Sequence, residues 1–299
     1  MIDTIHYDSF PLCQGSELAP FASATDHLVS GKQFTIIQCK ACGFLFTQDA
    51  PSNDSIEQYY DSEKYLPHNT GHGFNSFIYR SVRSVMFNWK HALIQYYHNT
   101  RGTLIDVGAG NGHFMAHMQR SGWDVVGCEQ SELARTEAWN RWEMHLDGDV
   151  METEYRTGCA DVITAWHAIE HIHDLHGLWD RFNNWLKSDG ILLVAVPNCF
   201  SADAQHYGYT WAAWDVPRHL WHFSINTIHE LSQQHGFRLI DIKSLPLDAC
   251  YIAMLSDQNK FKAIINGLRF MIKGFSNKQN ASSLIYIFSK QQIHRSHSP

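Results

Sequence analysis

Leu104-Ile105-Asp106-Val107-Gly108-Ala109-Gly110-Asn111-Gly112 is an apolar run that ends in three alternate glycines and passes into a helical pattern from about His113 to Ser121. Glycine at every second position lets the backbone turn sharply and come close to a ligand where a Cβ would collide. The helix behind it aims its unpaired N–H groups at the same place. The stretch therefore reads as strand, binding turn and helix, and it points to a nucleotide-bearing ligand. Its rivals are a plain strand-to-helix turn, a phosphate-binding P-loop and a dinucleotide fingerprint. A P-loop needs Gly-Lys followed by Ser or Thr, which is missing, and the dinucleotide pattern GxGxxG meets His113 where its third glycine belongs. GxGxG with an acid, Asp106, two residues ahead is complete.

Around this stretch the composition is that of a globular chain. The sequence has 299 residues, of which 44% are apolar and 18% charged, enough for one large α/β domain with appendages. A net charge of −7 gives no electrostatic reason to expect nucleic acid as the main partner. Polar Asp3, His6 and Asp8 follow Met1, so no secretory signal is expected, and no apolar run approaches the roughly 18 residues of a membrane span. A cytoplasmic protein with reduced cysteines is the expectation.

Beyond Arg101 strands and helices alternate, as in a doubly wound sheet. Strands are expected at Thr103–Val107, Asp124–Cys128, near His145–Leu146, Asp161–Trp166, Ile191–Val196, Phe237–Ile242 and Ser283–Phe288. One helix carries the stripe Leu175, Leu178, Trp179, Phe182, Trp185 and Leu186, with Asp174 as N-cap and Gly190 as its stop. Another runs from Ser224 to His235. Upstream, Ile78, Val82, Val85, Trp89, Leu93 and Tyr97 mark an amphipathic helix over 73–98. Residues 199–223 form a long aromatic lid, rich in Trp and Tyr and interrupted by Asp215, Arg218, His219 and His222. Residues 247–281 read as an insertion with a basic, apolar helix near Asn259–Lys273, suited to a packed lid, a partner or a membrane surface. The domain expectation is a small module over 1–72 followed by the α/β domain over 73–299.

In an open α/β sheet, ligands sit at the carboxyl ends of the strands. Glu129 ends the second strand, 21 residues after Gly108, where its carboxylate can accept both hydroxyls of a ribose. The same acid suits NAD. Asp147-Gly148-Asp149-Val150 follows the third strand, and Trp166 and His167 end the fourth.

The glycine turn with Asp106 resembles the first motif of class I S-adenosylmethionine-dependent methyltransferases, and the likeness extends over residues 74 to 290. That cofactor has no pyrophosphate, so a loop lacking the third dinucleotide glycine suits it. The resemblance implies a Rossmann-like sheet of seven strands whose last strand is antiparallel. It implies a cofactor held by Asp106, Gly108, Ala109, Gly110 and Gly112, by Glu129 and Gln130, by Asp149 and Val150 at the adenine, and by Trp166 or His167. Asp161-Val162-Ile163-Thr164-Ala165-Trp166-His167-Ala168-Ile169-Glu170-His171 resembles the fourth-strand motif of the subgroup containing the ubiquinone-pathway O-methyltransferases. There Glu170 and His171 begin the next helix beside the substrate, and some relatives hold a divalent ion at that place. Asp215-Val216-Pro217-Arg218-His219-Leu220 resembles a lid motif of bacterial members, which puts Trp214, Arg218, His219 and Glu170 at the acceptor. An oxygen acceptor needs a base, and His167, His171 and His219 are the candidates.

His167-Ala168-Ile169-Glu170-His171 also matches HxxEH of inverted zinc peptidases, which require both histidines on one helix face; His167 instead ends a strand. At the N-terminus Cys39-Lys40-Ala41-Cys42-Gly43 is a zinc-knuckle spacing. Phe10-Pro11-Leu12-Cys13-Gln14 resembles the other half of a zinc ribbon with Phe10 in place of the first cysteine. Cys13, Cys39 and Cys42 then leave zinc one ligand short unless His6 or His27 completes the site, and a degenerate ribbon that folds by packing is the alternative. The expected function is methyl transfer from S-adenosylmethionine to a small molecule, with oxygen favoured. A cofactor-binding regulator or scaffold without turnover and an NAD-linked oxidoreductase are the alternatives.

Overall fold

The computed structural model describes residues 3–60 and 74–291, with backbone alone for 74–81. Five short strands come first: β1 (Thr4–Ile5), β2 (Leu18–Thr25), β3 (Gln33–Cys39), β4 (Leu45–Thr47) and β5 (Ala50–Pro51). A long helix α1 (Phe74–Tyr97) leads to β6 (Thr103–Val107), α2 (His113–Arg120), β7 (Asp124–Cys128) and α3 (Glu132–Trp142). Then follow β8 (Ala160–Trp166), α4 (Leu175–Trp185), β9 (Leu186–Pro197), α5 (Ala202–Tyr207), β10 (Trp221–His222) and α6 (Ile225–Gln234). The chain closes with β11 (Phe237–Ser244), α7 (Asp248–Ser256), α8 (Lys260–Ser276) and β12 (Ser283–Lys290).

The large sheet has the order β11-β12-β9-β8-β6-β7. β7, β6, β8 and β9 run parallel, and β12 enters antiparallel between β9 and β11. Strand residues alternate between two buried faces. Ile105, Val107, Leu192, Val194, Leu284 and Tyr286 meet Trp179 and Phe182 of α4 and Ile228 and Leu231 of α6. Leu104, Ile191, Leu193, Ile285 and Ile287 meet Ile94 of α1 and Phe114 and Met118 of α2. A sheet apolar on both faces is stable only between two helical layers, which is the reason for the doubly wound form.

The sheet has six strands, not the expected seven. Residues near His145 lie beside β7 but make only a bridge between Cys128 and Asp147. Glu143 leaves α3 with φ 56°, and the Asp149 carboxylate already caps the next turn at Met151 N–H, so too few extended residues remain for a strand. Three smaller expectations also change. Of the expected stripe of α1, Trp89, Leu93 and Tyr97 pack on the core together with Phe87, Lys90 and Ile94, Val82 and Val85 are exposed, and the side chain of Ile78 lies outside the described residues. Glu170 and His171 lie in a short 3-10 turn, Ile169–His171, ahead of α4. Gly190 does not stop α4, whose N-cap is Asp174 as expected; the chain turns extended at Leu186. Gly190 sits in β9 where a Cβ would come within 2.9 Å of the Asp161 carbonyl oxygen, at the register shift between β8 and β9.

The aromatic lid is stitched to the N-terminal residues. β10 pairs antiparallel with β4, extending a sheet of order β10-β4-β3-β2. Phe10 is fully buried, 5.0 Å from the Phe44 ring, 5.3 Å from Phe46 and 6.1 Å from Trp221. Phe10, Phe44 and Phe46 share one core with the large sheet. Among the described residues no helix is long and apolar enough to cross a membrane.

Candidate active site

The glycine turn lies at the carboxyl end of β6. Gly108, Gly110 and Gly112 all have positive φ, of 72°, 53° and 70°, which a side chain would strain. A Cβ on Gly108 would stand 2.7 Å from the Ala168 Cβ, whereas one on Gly110 would meet no protein atom within 4 Å. Gly108 thus serves packing between the turn and the segment after β8, and Gly110 lines open space. Glu129, at the end of β7, accepts from Gly110 N–H at 2.9 Å and from Ser131 N–H at 2.9 Å. One carboxylate therefore fixes the turn and the start of α3 together. Gln130 is exposed beside it, its carbonyl accepting from Arg135 at 2.7 Å. Asp149 caps its own turn through Oδ1, and Val150 is buried below.

Under the turn Asp106 is joined by Lys90, which was not among the candidates read from the sequence. Asp106 is buried and accepts from Thr164 Oγ1 at 2.6 Å. Burial pushes its pKa up to about 7, against the Thr164 bond and the charge of Lys90. Lys90 of α1 stands 3.9 Å from the centre of the Trp166 ring, and desolvation brings it down to about 8 in spite of Asp106 and Asp248. A lysine within the apolar stripe of an amphipathic helix was the available signal. Asp248, the first residue of α7, had none; the fold of the insertion carries it here.

The segment after β8 holds the remaining candidates. His167 has φ 53°, its Nδ1 lies 3.3 Å from Glu170 Oε1, and its Nε2 lies 3.8 Å from Asp248 Oδ2. Burial opposes its charge, but Asp248 and Glu170 prevail and hold its pKa above the ordinary value. Glu170 is fully buried; the bond and charge of His167 outweigh burial and hold it below the usual carboxylate range. Among the described residues its Oε2 has no hydrogen-bond partner, nor have Trp166 Nε1 and His167 Nε2. His171 Nδ1 lies 3.0 Å from the Arg218 carbonyl oxygen and 2.9 Å from Tyr60 Oη, and burial together with nearby His219 lowers its pKa to about 4. The His171 and His219 rings are 4.7 Å apart. His219 Nδ1 lies 2.9 Å from the Ala213 carbonyl oxygen, which makes it the donor; Nε2, 3.9 Å from Asp215 Oδ2, is then the acceptor nitrogen of the neutral ring. Ligand atoms of Glu170, His171 and His219 lie within 4.8 Å of one another.

Two lid residues direct their side chains away from this cluster, although the Arg218 carbonyl meets His171. Arg218 is buried and reaches Asp215 at 2.6 Å, Asp26 at 3.2 Å and the Tyr59 carbonyl at 3.1 Å, clamping lid to N-terminus. Trp214 is buried among Ala24, Leu45 and Trp211, with its indole N–H on the Gly208 carbonyl. In the N-terminal region Cys13 Sγ lies 3.5 Å from Cys39 Sγ and 3.4 Å from Cys42 Sγ. Neither proposed fourth ligand joins them: the trio stands without a histidine, and His6 bonds Asp49 at 2.6 Å.

A family model described as a methyltransferase domain matches residues 79–242. No curated protein matches the sequence. Among solved structures, phosphoethanolamine N-methyltransferase 2 of Haemonchus contortus in complex with S-adenosyl-L-methionine is 14% identical, with 92% of this chain and 69% of that chain covered and a TM-score of 0.53. A chain of the complex between the Haloferax volcanii Trm112 methyltransferase activator and a methyltransferase is 16% identical, covering 64% of this chain and 83% of its own, at 0.49. Geranyl diphosphate C-methyltransferase of Streptomyces coelicolor, solved with Mg2+, geranyl diphosphate and S-adenosyl-L-homocysteine, is 16% identical over 68% of this chain and 77% of its own, also at 0.49.

Proposed function

Since the chain belongs to the methyltransferase domain family and is a class I S-adenosylmethionine-dependent methyltransferase, we propose that it methylates a hydroxyl oxygen of a small molecule held between the glycine turn and the lid. The observation that carries this reading is the Glu170, His171 and His219 cluster at the carboxyl end of β8, beside the turn, with Glu170 and His219 buried and His171 half-buried. The residues around the turn fit the cofactor: Gly110 leaves room where a Cβ would intrude, and Trp166 Nε1 is a buried donor without a hydrogen-bond partner among the described residues. Gly108, Ala109, Gly110 and Gly112 would hold its aminoacyl part with Asp106 below, Glu129 and Gln130 its ribose, and Asp149 and Val150 its adenine. When bound, S-adenosylmethionine supplies a methyl group activated by a sulfonium charge.

The protein's own work is alignment, exclusion of water and removal of one proton. His219 is the base best prepared for that proton, because its Nδ1 hydrogen bond to the Ala213 carbonyl orients the ring and makes Nε2 the acceptor nitrogen of the neutral imidazole, with Asp215 Oδ2 3.9 Å away to stabilise the charge it gains. His171 stays neutral at physiological pH and serves as the neighbouring acceptor or donor within the cluster. Trp214 and Arg218 support the lid that shuts out water, since both are buried and bonded within it. The unpartnered Glu170 Oε2 favours a second reading of the same cluster, in which Glu170, His171 and His219 hold a divalent cation that ionises the acceptor hydroxyl. The likeness of the β8 segment to ubiquinone-pathway enzymes supports an aromatic acceptor. The Cys13, Cys39 and Cys42 trio supports a thiolate metal site with Phe10 packed where a fourth cysteine would stand.

Release of S-adenosylhomocysteine from S-adenosylmethionine, followed over a panel of phenols, amines and carbon acids with and without added Mg2+, tests these readings. Turnover with phenols supports oxygen transfer, and dependence on the cation supports the second reading. Turnover confined to amines or carbon acids rejects the oxygen assignment. Calorimetry that detects NAD binding but none of S-adenosylmethionine rejects the cofactor site as drawn.

A further inference from the structure

α8 has two apolar faces where a helix on a soluble domain needs one. Ala263, Gly267, Phe270 and Gly274 are buried, with Gly267 backed onto Cys250 and Gly274 onto Ala281 so closely that a Cβ would collide with either backbone. Phe261, Ile264, Ile265, Leu268, Ile272 and Phe275 form the second face, each between 48% and 73% exposed. At about 100° per residue these six occupy a continuous arc of roughly 100°. Met254 and Leu255 of α7, also exposed, add to the apolar surface. Monomeric soluble proteins rarely leave so large a contiguous apolar area in water.

Charge names the occupant. Lys262, Arg269 and Lys273 fall on the strip next to the exposed arc, Lys260 starts the helix, and α8 contains no acidic residue, although the whole chain carries −7. A second copy seated on this arc would bring an identical cationic edge against the first. An anionic lipid surface neutralises the strip and takes up the arc. At 17 residues the helix lies on a bilayer and does not span it. We propose that α8 seats this protein on anionic membranes, with Leu268, Ile272 and Phe275 in the acyl boundary and Lys262, Arg269 and Lys273 among the headgroups. α7, which packs against α8, begins at Asp248 beside His167, so the membrane face stands one helix from the chemistry.

The test uses the full chain, co-sedimented with vesicles of phosphatidylcholine alone or mixed with phosphatidylglycerol, at low and high salt, with light scattering for its oligomeric state. Binding to the mixed vesicles, weakened by salt, is expected. Lys262→Gln with Arg269→Gln removes about fivefold per cation, roughly 25-fold together. Leu268→Glu with Ile272→Glu abolishes sedimentation while S-adenosylmethionine affinity, read by calorimetry, is retained, which shows that the variant is folded. Equal binding to neutral and mixed vesicles, no binding to either, or binding unchanged in both variants overturns the proposal. So does a dimer that Leu268→Glu with Ile272→Glu dissociates when vesicles are not bound.

Discussion

Gly110→Ala separates what the glycine turn does for binding from what it does for folding. Gly110 has φ 53°, a backbone region that costs an L side chain about 1–2 kcal/mol. Its Cβ would meet no protein atom within 4 Å, so no packing cost is added in the free protein. With about 2–4 °C lost per kcal/mol in a domain of this size, Tm falls by roughly 2–8 °C. The same methyl group occupies space assigned to the cofactor, and overpacking a close contact costs about 1–3 kcal/mol. Affinity for S-adenosylmethionine therefore drops roughly 5- to 150-fold. Gly108→Ala provides the contrast. It carries a similar φ, but its Cβ would collide with Ala168 at 2.7 Å, which adds about 1–3 kcal/mol to the folding cost. A thermal scan and a calorimetric titration on both variants give the answer. The reasoning is refuted if Gly110→Ala binds S-adenosylmethionine within about threefold of the parent, or if it loses as much stability as Gly108→Ala.

Further expectations concern the carboxylates and the base. Glu129→Ala strips the acceptor from Gly110 N–H and Ser131 N–H and removes the carboxylate assigned to the ribose, and losing a charged hydrogen bond worth about 1.5–3 kcal/mol to a ribose hydroxyl predicts at least tenfold weaker S-adenosylmethionine binding by calorimetry. Asp26→Asn breaks the buried contact with Arg218, for which about 3–5 kcal/mol is the usual cost; Asp215 keeps the guanidinium paired and holds the loss to the lower end, read by urea unfolding at pH 7. Hydrogen bonds from Ser30 and Leu28 and the charge of Arg218 outweigh burial and place the Asp26 pKa below its unfolded value of about 3.9. Its stabilisation is thus full above that value and lost as pH falls through the folded one, so parent and variant begin to converge below about pH 4 and meet only below the folded value. His219→Ala lowers kcat about 10²- to 10⁴-fold with S-adenosylmethionine affinity unchanged; an unaltered kcat removes His219 from the mechanism.

Much of this molecule is legible in one dimension because it depends on local periodicity. β6, β7 and α2 follow from an apolar strand, alternate glycines and a helical stripe, and they appear at nearly the expected boundaries. The capping residue Asp174 acts within three residues of itself and was equally plain, whereas Ser224, expected only as the start of a helix, proves to be its cap. The failures share one cause. Gly190 resembles a helix stop, yet its neighbour in space is Asp161 on another strand, so its role is close approach. The segment near His145 has strand character but lacks room between two turns. Val85 has helical spacing and lies on the exposed side, because the chain chose a stripe containing Lys90.

The site divides along the same line. The sequence alone determined the glycine turn, the carboxylate after the second strand and the histidines after the fourth, since all lie within a few residues of strand ends and strand ends converge at one edge of a parallel sheet. Tertiary structure alone decided which side chains meet. It brought Lys90 from α1 and Asp248 from α7 to the rim of the turn, set His219 against His171, and turned Arg218 away to clamp Asp26 nearly two hundred residues distant. Contacts across such separations depend on how helices pack on the sheet, and side-chain burial, charge and proton affinity are properties of that packing.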